Sequence, residues 1–206
     1  MTQPETSRPE MVDLVFPLAG HSLARDHAQP LANALGAALP WLDAEPCFGV
    51  HPVKLVPGTE TQALLSNRAR LLLRVPRSRL AGLAALTGHR LDVGGAALRL
   101  GSPQVRELLP HATLYAFKVA APGSDELEFM EQVAAELDGL QVRGQRVCGK
   151  RGALASAGAA LVTFSLMLHG LSREHSLLVQ QRGVGGHRLL GCGIFVPHKS
   201  AAAVGA

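Results

Sequence analysis

The sequence predicts an α+β chain made of two successive units, each ordered strand, helix, strand, strand, helix, strand. Three observations predict it. Short aliphatic runs of strand length alternate with segments of helical periodicity, and the same order occurs twice with a repeat of about 90 residues. Hydrophobic residues make up 47% of the 206 residues against 17% charged, enough to bury a sizeable core and too apolar for global disorder. The most apolar run, Ala153–Leu168, is shorter than the roughly 20 residues of a membrane span and is broken by Ser156, Thr163 and Ser165, so it reads as core strand.

In the first unit, Met11–Phe16 alternates as a strand does. Pro30–Leu39 then puts Leu31, Ala34, Leu35, Ala38 and Leu39 on one helical face. Pro30 suits a first helical turn and should keep Gln29 extended. Cys47–Val56 and Ala69–Val75 are expected as strands, Pro76–Leu86 as a short helix ended by Gly88, and Arg90–Gly101 as a strand or hairpin turning at Gly94-Gly95. The second unit opens with a strand at Thr113–Ala120. Ser124 is the expected N-cap of a helix running to Leu137, with Asp125 and Glu126 in the first turn, where the helix dipole favours anions. Phe129, Val133, Ala134 and Leu137 form its apolar stripe. Gln145–Lys150 and Leu161–His169 read as strands, Ser172 as the cap of a helix to Gln181, and Leu190–Val196 as the closing strand. Two such units predict tandem ferredoxin-like (RRM-like) domains at 11–108 and 109–200, between a tail at 1–10 and another at 201–206. That fold hosts many activities and does not choose among them.

The chain is mildly basic, net +4 with pI near 9.3, and the distribution says more than the total. Ala121–Leu140 holds Asp125, Glu126, Glu128, Glu131, Glu136 and Asp138 with no Lys or Arg. Beyond it lie Arg143, Arg146, Lys150, Arg151, Arg173, Arg182, Arg188 and Lys199 against Glu174 alone. An acidic helix beside a basic C-terminal region is the asymmetry of a protein with one face toward a polyanion. Cys47, Cys148 and Cys192 are odd in number and far apart, which fits neither a zinc pair nor a disulfide framework. Met1–Glu10 is polar and holds two prolines, unlike a secretory signal. The expectation is a soluble cytoplasmic protein.

Gly183–Lys199 (GVGGHRLLGCGIFVPHK) carries glycines at 183, 185, 186, 191 and 193, with His187 and Arg188 between them. Glycine lets a backbone approach a phosphate or base closely and take positive φ, and adjacent arginine can neutralise phosphate charge. A P-loop would need a closing Lys-Ser or Lys-Thr, and a dinucleotide fingerprint would open a helix; this segment does neither. A Gly-x-Gly, five residues and a second Gly-x-Gly before a final strand resembles the glycine-rich loop of the repeat-associated RNA-binding superfamily of CRISPR proteins. The full block from His169 to Lys199, with LVFPLAGHSLARDHAQPL (residues 14–31), LLSNRARLLLRVP (64–76) and LPHATLYAFKV (109–119), is similar to the sixth of the numbered CRISPR-associated protein families, the repeat endoribonuclease, in its Myxan subtype. Ala24 departs from the family pattern, which has proline there.

The resemblance implies recognition of a CRISPR repeat RNA hairpin, cleavage at its 3′ side, and retention of the mature guide RNA for other subunits of an effector complex. No HxH, HExxH or Asp/Glu cluster of the sequence suggests a metal site, and no cofactor is expected. Such cleavage needs a base for the 2′-hydroxyl proton, an acid for the departing 5′-oxygen, and cations for phosphate charge. It leaves a 2′,3′-cyclic phosphate and a 5′-hydroxyl. Histidine, with a pKa of about 6.5, suits both proton transfers. Of nine histidines, His27 leads: it precedes the helix expected at Pro30, whose free N–H groups suit a phosphate, and the Asp26-His27 pair matches the family's catalytic position. The alternative is that Asp26 caps the helix and His27 is merely exposed. His21 is the rival catalytic histidine. Candidate RNA contacts are Arg68 and Arg70, which with Arg74 would share one strand face, together with Arg182, Gly183, Gly185, His187, Arg188, Gly191, Gly193, His198 and Lys199. His169 belongs with these or supports the loop, while His51, His89, His111 and His175 read as surface or structural. Aromatics are few, and Tyr115 and Phe195 are each expected to stack on one base. The competing function is a non-catalytic CRISPR RNA-binding subunit with the same glycine loop.

Overall fold

A computed structural model describes residues 9–156 and 159–199. The expected tails lie outside the described residues except for Pro9 and Glu10. The chain is α+β with antiparallel sheets. Its first half contains β1 (Met11–Ala19), β2 (Ser22–Ala24), α1 (Ala28–Ala38), β3 (Gly49–Val50), β4 (Gln62–Leu64), β5 (Arg70–Pro76), α2 (Leu80–Ala84), β6 (Arg90–Val93), β7 (Ala96–Leu100) and β8 (Gln104–Glu107). The second half contains β9 (Thr113–Ala120), α3 (Glu126–Gly139), β10 (Gln145–Ser156), β11 (Ala159–His169), α4 (Arg173–Arg182) and β12 (Val196–Pro197).

The first sheet runs β3-β5-β1-β7-β6, with β8 also pairing β1; the second runs β10-β11-β9-β12; β2 and β4 form a small separate pair. Strand alternation does what it predicts. Val12, Leu14, Phe16 and Leu18 of β1 face inward with Leu71, Leu73 and Val75 of β5, in the register Leu14↔Leu73. Leu31 and Leu35 of α1 join that core. A second core gathers Leu114 and Ala116 of β9, Leu166 and Leu168 of β11, and the expected stripe residues Phe129, Val133 and Leu137 of α3.

Several boundaries differ from expectation for identifiable reasons. α1 begins at Ala28, so Gln29 is helical rather than extended; Pro30, third in the helix, removes only an N–H the first turn leaves unpaired. Cys47–Val56 shortens to Gly49–Val50, because His51 still donates to the Leu72 carbonyl (3.0 Å) but Pro52 has no N–H to extend the ladder. Pro76 ends β5, and a 3-10 turn over Arg77–Arg79 takes up the start of the expected helix. The cap of α3 is Asp125, not Ser124: its carboxylate accepts from the Glu128 N–H at 2.9 Å. Ser172 caps α4 as expected, accepting from the His175 N–H at 3.2 Å. The closing strand survives only at Val196–Pro197, since left-handed Gly191 and Gly193 (φ 83° and 65°) cannot continue a strand.

Arg68 lies in the turn before β5 and is exposed. The face shared by Arg70 and Arg74 is therefore not one solvated basic row. Arg74 is 1% exposed. It forks onto Asp13 of β1 (Nε to Oδ1 2.8 Å, Nη2 to Oδ2 2.9 Å) and donates through Nη1 to the carbonyls of Phe195 (2.7 Å) and Gln180 (3.0 Å). This side chain fastens the first sheet to the second half. Among the described residues no helix is long and apolar enough to cross a membrane.

Candidate active site

The turn after β2 delivers His27 to the start of α1, where it is the N-cap residue with no side-chain capping bond. Asp26 does not cap the helix. The His27 ring instead turns back: Nδ1 lies 3.0 Å from the Ala24 carbonyl and 3.2 Å from that of Arg25. Two carbonyls can only accept, so Nδ1 carries the proton and Nε2 holds the free lone pair of the neutral ring. His27 is 8% exposed, yet Nε2 makes no hydrogen bond. Among the described residues no wholly buried side-chain nitrogen or oxygen lacks a partner, so Nε2 reaches solvent.

It does so in a cleft of about 50 Å³. One wall comes from the first half, with Asp26, His27, Ala28 and Leu31 beside Val50, His51 and Pro52; the other comes from Lys118, Leu154, Leu189 and Leu190. On the measure of about 10–15 Å³ per water, the cleft has room for about four waters; a phosphodiester group can enter and the attached bases must lie outside. Burial pushes the His27 imidazole below its ordinary value. The bonds to the Ala24 and Arg25 carbonyls work against this, Lys118 adds to it, and Asp26 opposes it. The ring is thus a neutral base near pH 7, next to a lysine and to the free N–H groups of a helix start.

Sequence reasoning missed Lys118 and His51. Lys118 follows two aromatic residues in an otherwise apolar strand, which marks it as polar but not which side it faces. His51 is 8% exposed, and its Nε2 lies 3.3 Å from Asp13 Oδ1. Burial holds this ring, too, below its ordinary value; the bond to Asp13 opposes that, and the Arg74 charge reinforces it. His51 is structural, as expected, but sits in the wall of the cleft that His27 lines.

The glycine-rich segment builds the opposite wall. Gly183, Gly185, Gly191 and Gly193 all have positive φ. A Cβ on Gly193 would sit 2.3 Å from the Val184 carbonyl oxygen, and one on Gly183 would sit 2.4 Å from that of Gly193. At Gly183 and Gly193 the missing Cβ lets the loop fold against itself, and at Gly191 it lets the loop approach Pro52 of the first half. Arg188 is 7% exposed and donates to the carbonyls of Cys47, Arg182, Gly193 and Gln181. Burial lowers its pKa to about 10. The guanidinium faces inward and anchors the loop to the first half, which presents Leu189 and Leu190 to the cleft.

A protein-family model described as Cas6 Crispr matches residues 12–200. The chain belongs to the Cas6 family. The CRISPR-associated endonuclease Cas6 of Myxococcus xanthus (strain DK1622) is 38% identical over 194 residues, 94% of this chain and 84% of that protein. A solved CRISPR-associated protein Cas6 superposes with a TM-score of 0.67 at 10% identity, covering 92% of this chain and all of the other. A Cas6-related protein from Pyrococcus furiosus gives 0.63 at 12% identity over 92% and 99% of the two chains. Thermus thermophilus Cse3, solved with an RNA representing a pre-cleavage complex, gives 0.51 at 14% identity over 92% and 100%. At these identities the likeness is one of fold.

On this Cas6 chain the remaining candidates scatter. His21 is exposed and does not line the cleft. Arg70 is exposed and donates to the Ala69 carbonyl at 2.8 Å. Arg182 and His187 are exposed beside the glycine loop, His187 in the left-handed conformation (φ 61°). His198 and Lys199 are exposed at the end of β12, with the His198 ring 5.2 Å from that of Tyr115. His169 ends β11 and is half-buried. Phe195 does not offer a face to a base: it is fully buried in the second core.

Proposed function

We propose that the chain is a metal-independent endoribonuclease that cleaves repeat hairpins of precursor CRISPR RNA and retains the mature guide RNA. The observation that carries this reading is the neutral His27 ring, its one free nitrogen opening into a phosphate-sized cleft that Lys118 shares. His27 Nε2 accepts the 2′-hydroxyl proton, and the 2′-oxygen attacks the adjacent phosphorus. The P–O5′ bond breaks as the departing 5′-oxygen takes a proton from solvent water, leaving a 2′,3′-cyclic phosphate and a 5′-hydroxyl, and the His27 imidazolium later returns its proton to solvent. Lys118 and the first N–H groups of α1 balance the charge that builds on the phosphate oxygens. His21, exposed and outside the cleft, takes no part in this step.

The order 2-3-1-4 of equivalent strands in both sheets (β3-β5-β1-β7 and β10-β11-β9-β12) supports tandem ferredoxin-like domains at 11–108 and 109–200. The RNA contacts fall to exposed Arg68, Arg70, Arg182, His187, His198 and Lys199. Gly183, Gly185, Gly191, Gly193 and Arg188 act by shaping the wall. A cytoplasmic setting and hand-over to effector-complex subunits complete the reading.

Incubating the protein with its own repeat RNA in EDTA should give one cut, abolished by a 2′-deoxy substitution 5′ of it. Dependence on added magnesium overturns the mechanism. Repeat RNA that is bound tightly and left intact assigns the chain instead to a non-catalytic binding subunit. Lys118→Ala should lower the single-turnover cleavage rate by about 10²-fold, the usual effect of losing one charge-stabilising donor, with a smaller change in RNA affinity.

A further inference from the structure

The cleft at His27, about 50 Å³, has room for a phosphate group and not for a base, so the nucleosides on either side need another surface. The outer face of the second sheet provides one. Val147, Met167, Tyr115 and Val196 pair across the four strands in a single row. Their neighbours Leu114, Ala116, Leu166 and Leu168 point the other way into the core. Phe117 continues the row along β9, 65% exposed, with its ring 4.9 Å from Tyr115 and edge-on to it. On the other flank of Tyr115 lies the His198 ring. An aromatic side chain this exposed in a chain with six Phe and one Tyr is not explained by packing.

Charge indicates what covers the face. The four strands of this sheet contain no aspartate or glutamate. Arg146 and Arg151 pair with Leu168 and Phe164 and so share the core side, which leaves Lys118 and Lys150 as the basic residues for the outer face. Apart from Glu174 on α4, the acidic residues of this half gather on α3 and its cap, and α3 packs against the opposite side of the sheet through Phe129 and Val133. Position indicates which part of a polyanion arrives. Phe117 is the immediate neighbour of Lys118, and at about 3.3 Å per strand residue Tyr115 lies roughly 10 Å from that lysine.

Resting on the endoribonuclease reading, we propose that Phe117 and Tyr115 form a stacking platform for unpaired RNA bases flanking the scissile phosphate. The rings take the bases and Lys118 takes the phosphate, so one strand sets the register between them. Stacking tolerates any base, so the platform fixes where unpaired RNA lies without reading its sequence. Specificity is left to the hairpin.

The test compares two RNAs: the repeat with its unpaired flanks, and the same hairpin trimmed to stem and loop. Phe117→Leu keeps an apolar side chain on an exposed strand position and removes the ring. It should weaken binding of the flanked RNA by about tenfold, leave the trimmed hairpin's affinity unchanged, and be rescued by Phe117→Trp. A base analogue whose fluorescence is quenched by stacking, placed next to the cut, should brighten in the Phe117→Leu complex. Wild-type affinity for the flanked RNA in Phe117→Leu overturns the platform and makes the face a protein contact. An equal loss on both RNAs also overturns it. Failure of the unaltered protein to bind either RNA would overturn the endoribonuclease reading itself, an outcome distinct from both.

Discussion

His27→Ala is expected to lower the rate of repeat cleavage by about 10²–10⁴-fold, the range that a positioned general base contributes, while the protein still binds repeat RNA with near-unaltered affinity. The size follows from the geometry. Only Nε2 of His27 is free to face the cleft, because Nδ1 is tied to the Ala24 and Arg25 carbonyls; His51, the other imidazole in the cleft wall, is held through its Nε2 by Asp13. The pH profile separates this role from a structural one. Burial favours the neutral ring, so the base stays competent below the ordinary histidine value, and the acid limb of the wild-type rate should lie below about pH 6.5. His27→Ala should remove that limb along with most of the rate. Full-rate cleavage by His27→Ala, measured in single turnover with saturating protein, would refute the assignment. His21→Ala should leave the cleavage rate within a few-fold of wild type.

Much of this site was legible in the sequence because it rests on local order. Asp26-His27 directly before a proline-marked helix puts an imidazole at a helix start whatever the rest of the chain does. The cap at Ser172, the apolar stripe of α3 and the turn at Gly94-Gly95 are local in the same way. What the sequence withheld depends on distant partners. Arg74 shares strand spacing with Arg70, and nothing nearby tells that one is exposed and the other fully buried; that follows from Asp13, 61 residues away, and from the carbonyls of Gln180 and Phe195. The glycine loop was legible only in part for a related reason. Its positive φ angles are legible, but whether the missing Cβ atoms make room for a ligand or for the loop's own carbonyls depends on tertiary packing, and here the carbonyls of Val184 and Gly193 fill the space. Phe117 follows Tyr115 outward by strand alternation, but Lys118 faces outward as well because β9 slips register against β11 between the partners of Leu166 and Phe164. A bulge reverses which side later residues face, and no residue of β9 announces it.

The buried Arg74 fork carries the largest expected effect on stability. Arg74→Ala should destabilise the fold by about 3–5 kcal/mol, the cost of leaving a buried charge without its partner, measured as a fall in the denaturant midpoint. Two carbonyls from the second half lose their donor as well, so the loss should be cooperative across both halves rather than confined to the first sheet. Acid should act on the same cluster. Burial opposes ionisation of Asp13, but the hydrogen bonds from His51 and Arg74 and the Arg74 charge outweigh it and hold the carboxyl well below the usual range. A carboxylate depressed on folding contributes stability above its unfolded value of about 3.9, and this is lost as the pH falls further. His51 and His27 bind protons more weakly folded than unfolded, so acidification from about pH 6.5 downward favours the unfolded chain first. Wild-type stability should therefore decline in two stages, a histidine stage and then a carboxylate stage. Arg74→Ala should weaken the second stage, because Asp13 loses the arginine's hydrogen bonds and charge and keeps only His51, and should lessen the first, because the Arg74 charge helps to hold His51 down. If the two stages persisted unchanged in Arg74→Ala, the fork would not be what keeps Asp13 ionised, and the seam joining the two walls of the cleft would need another fastening.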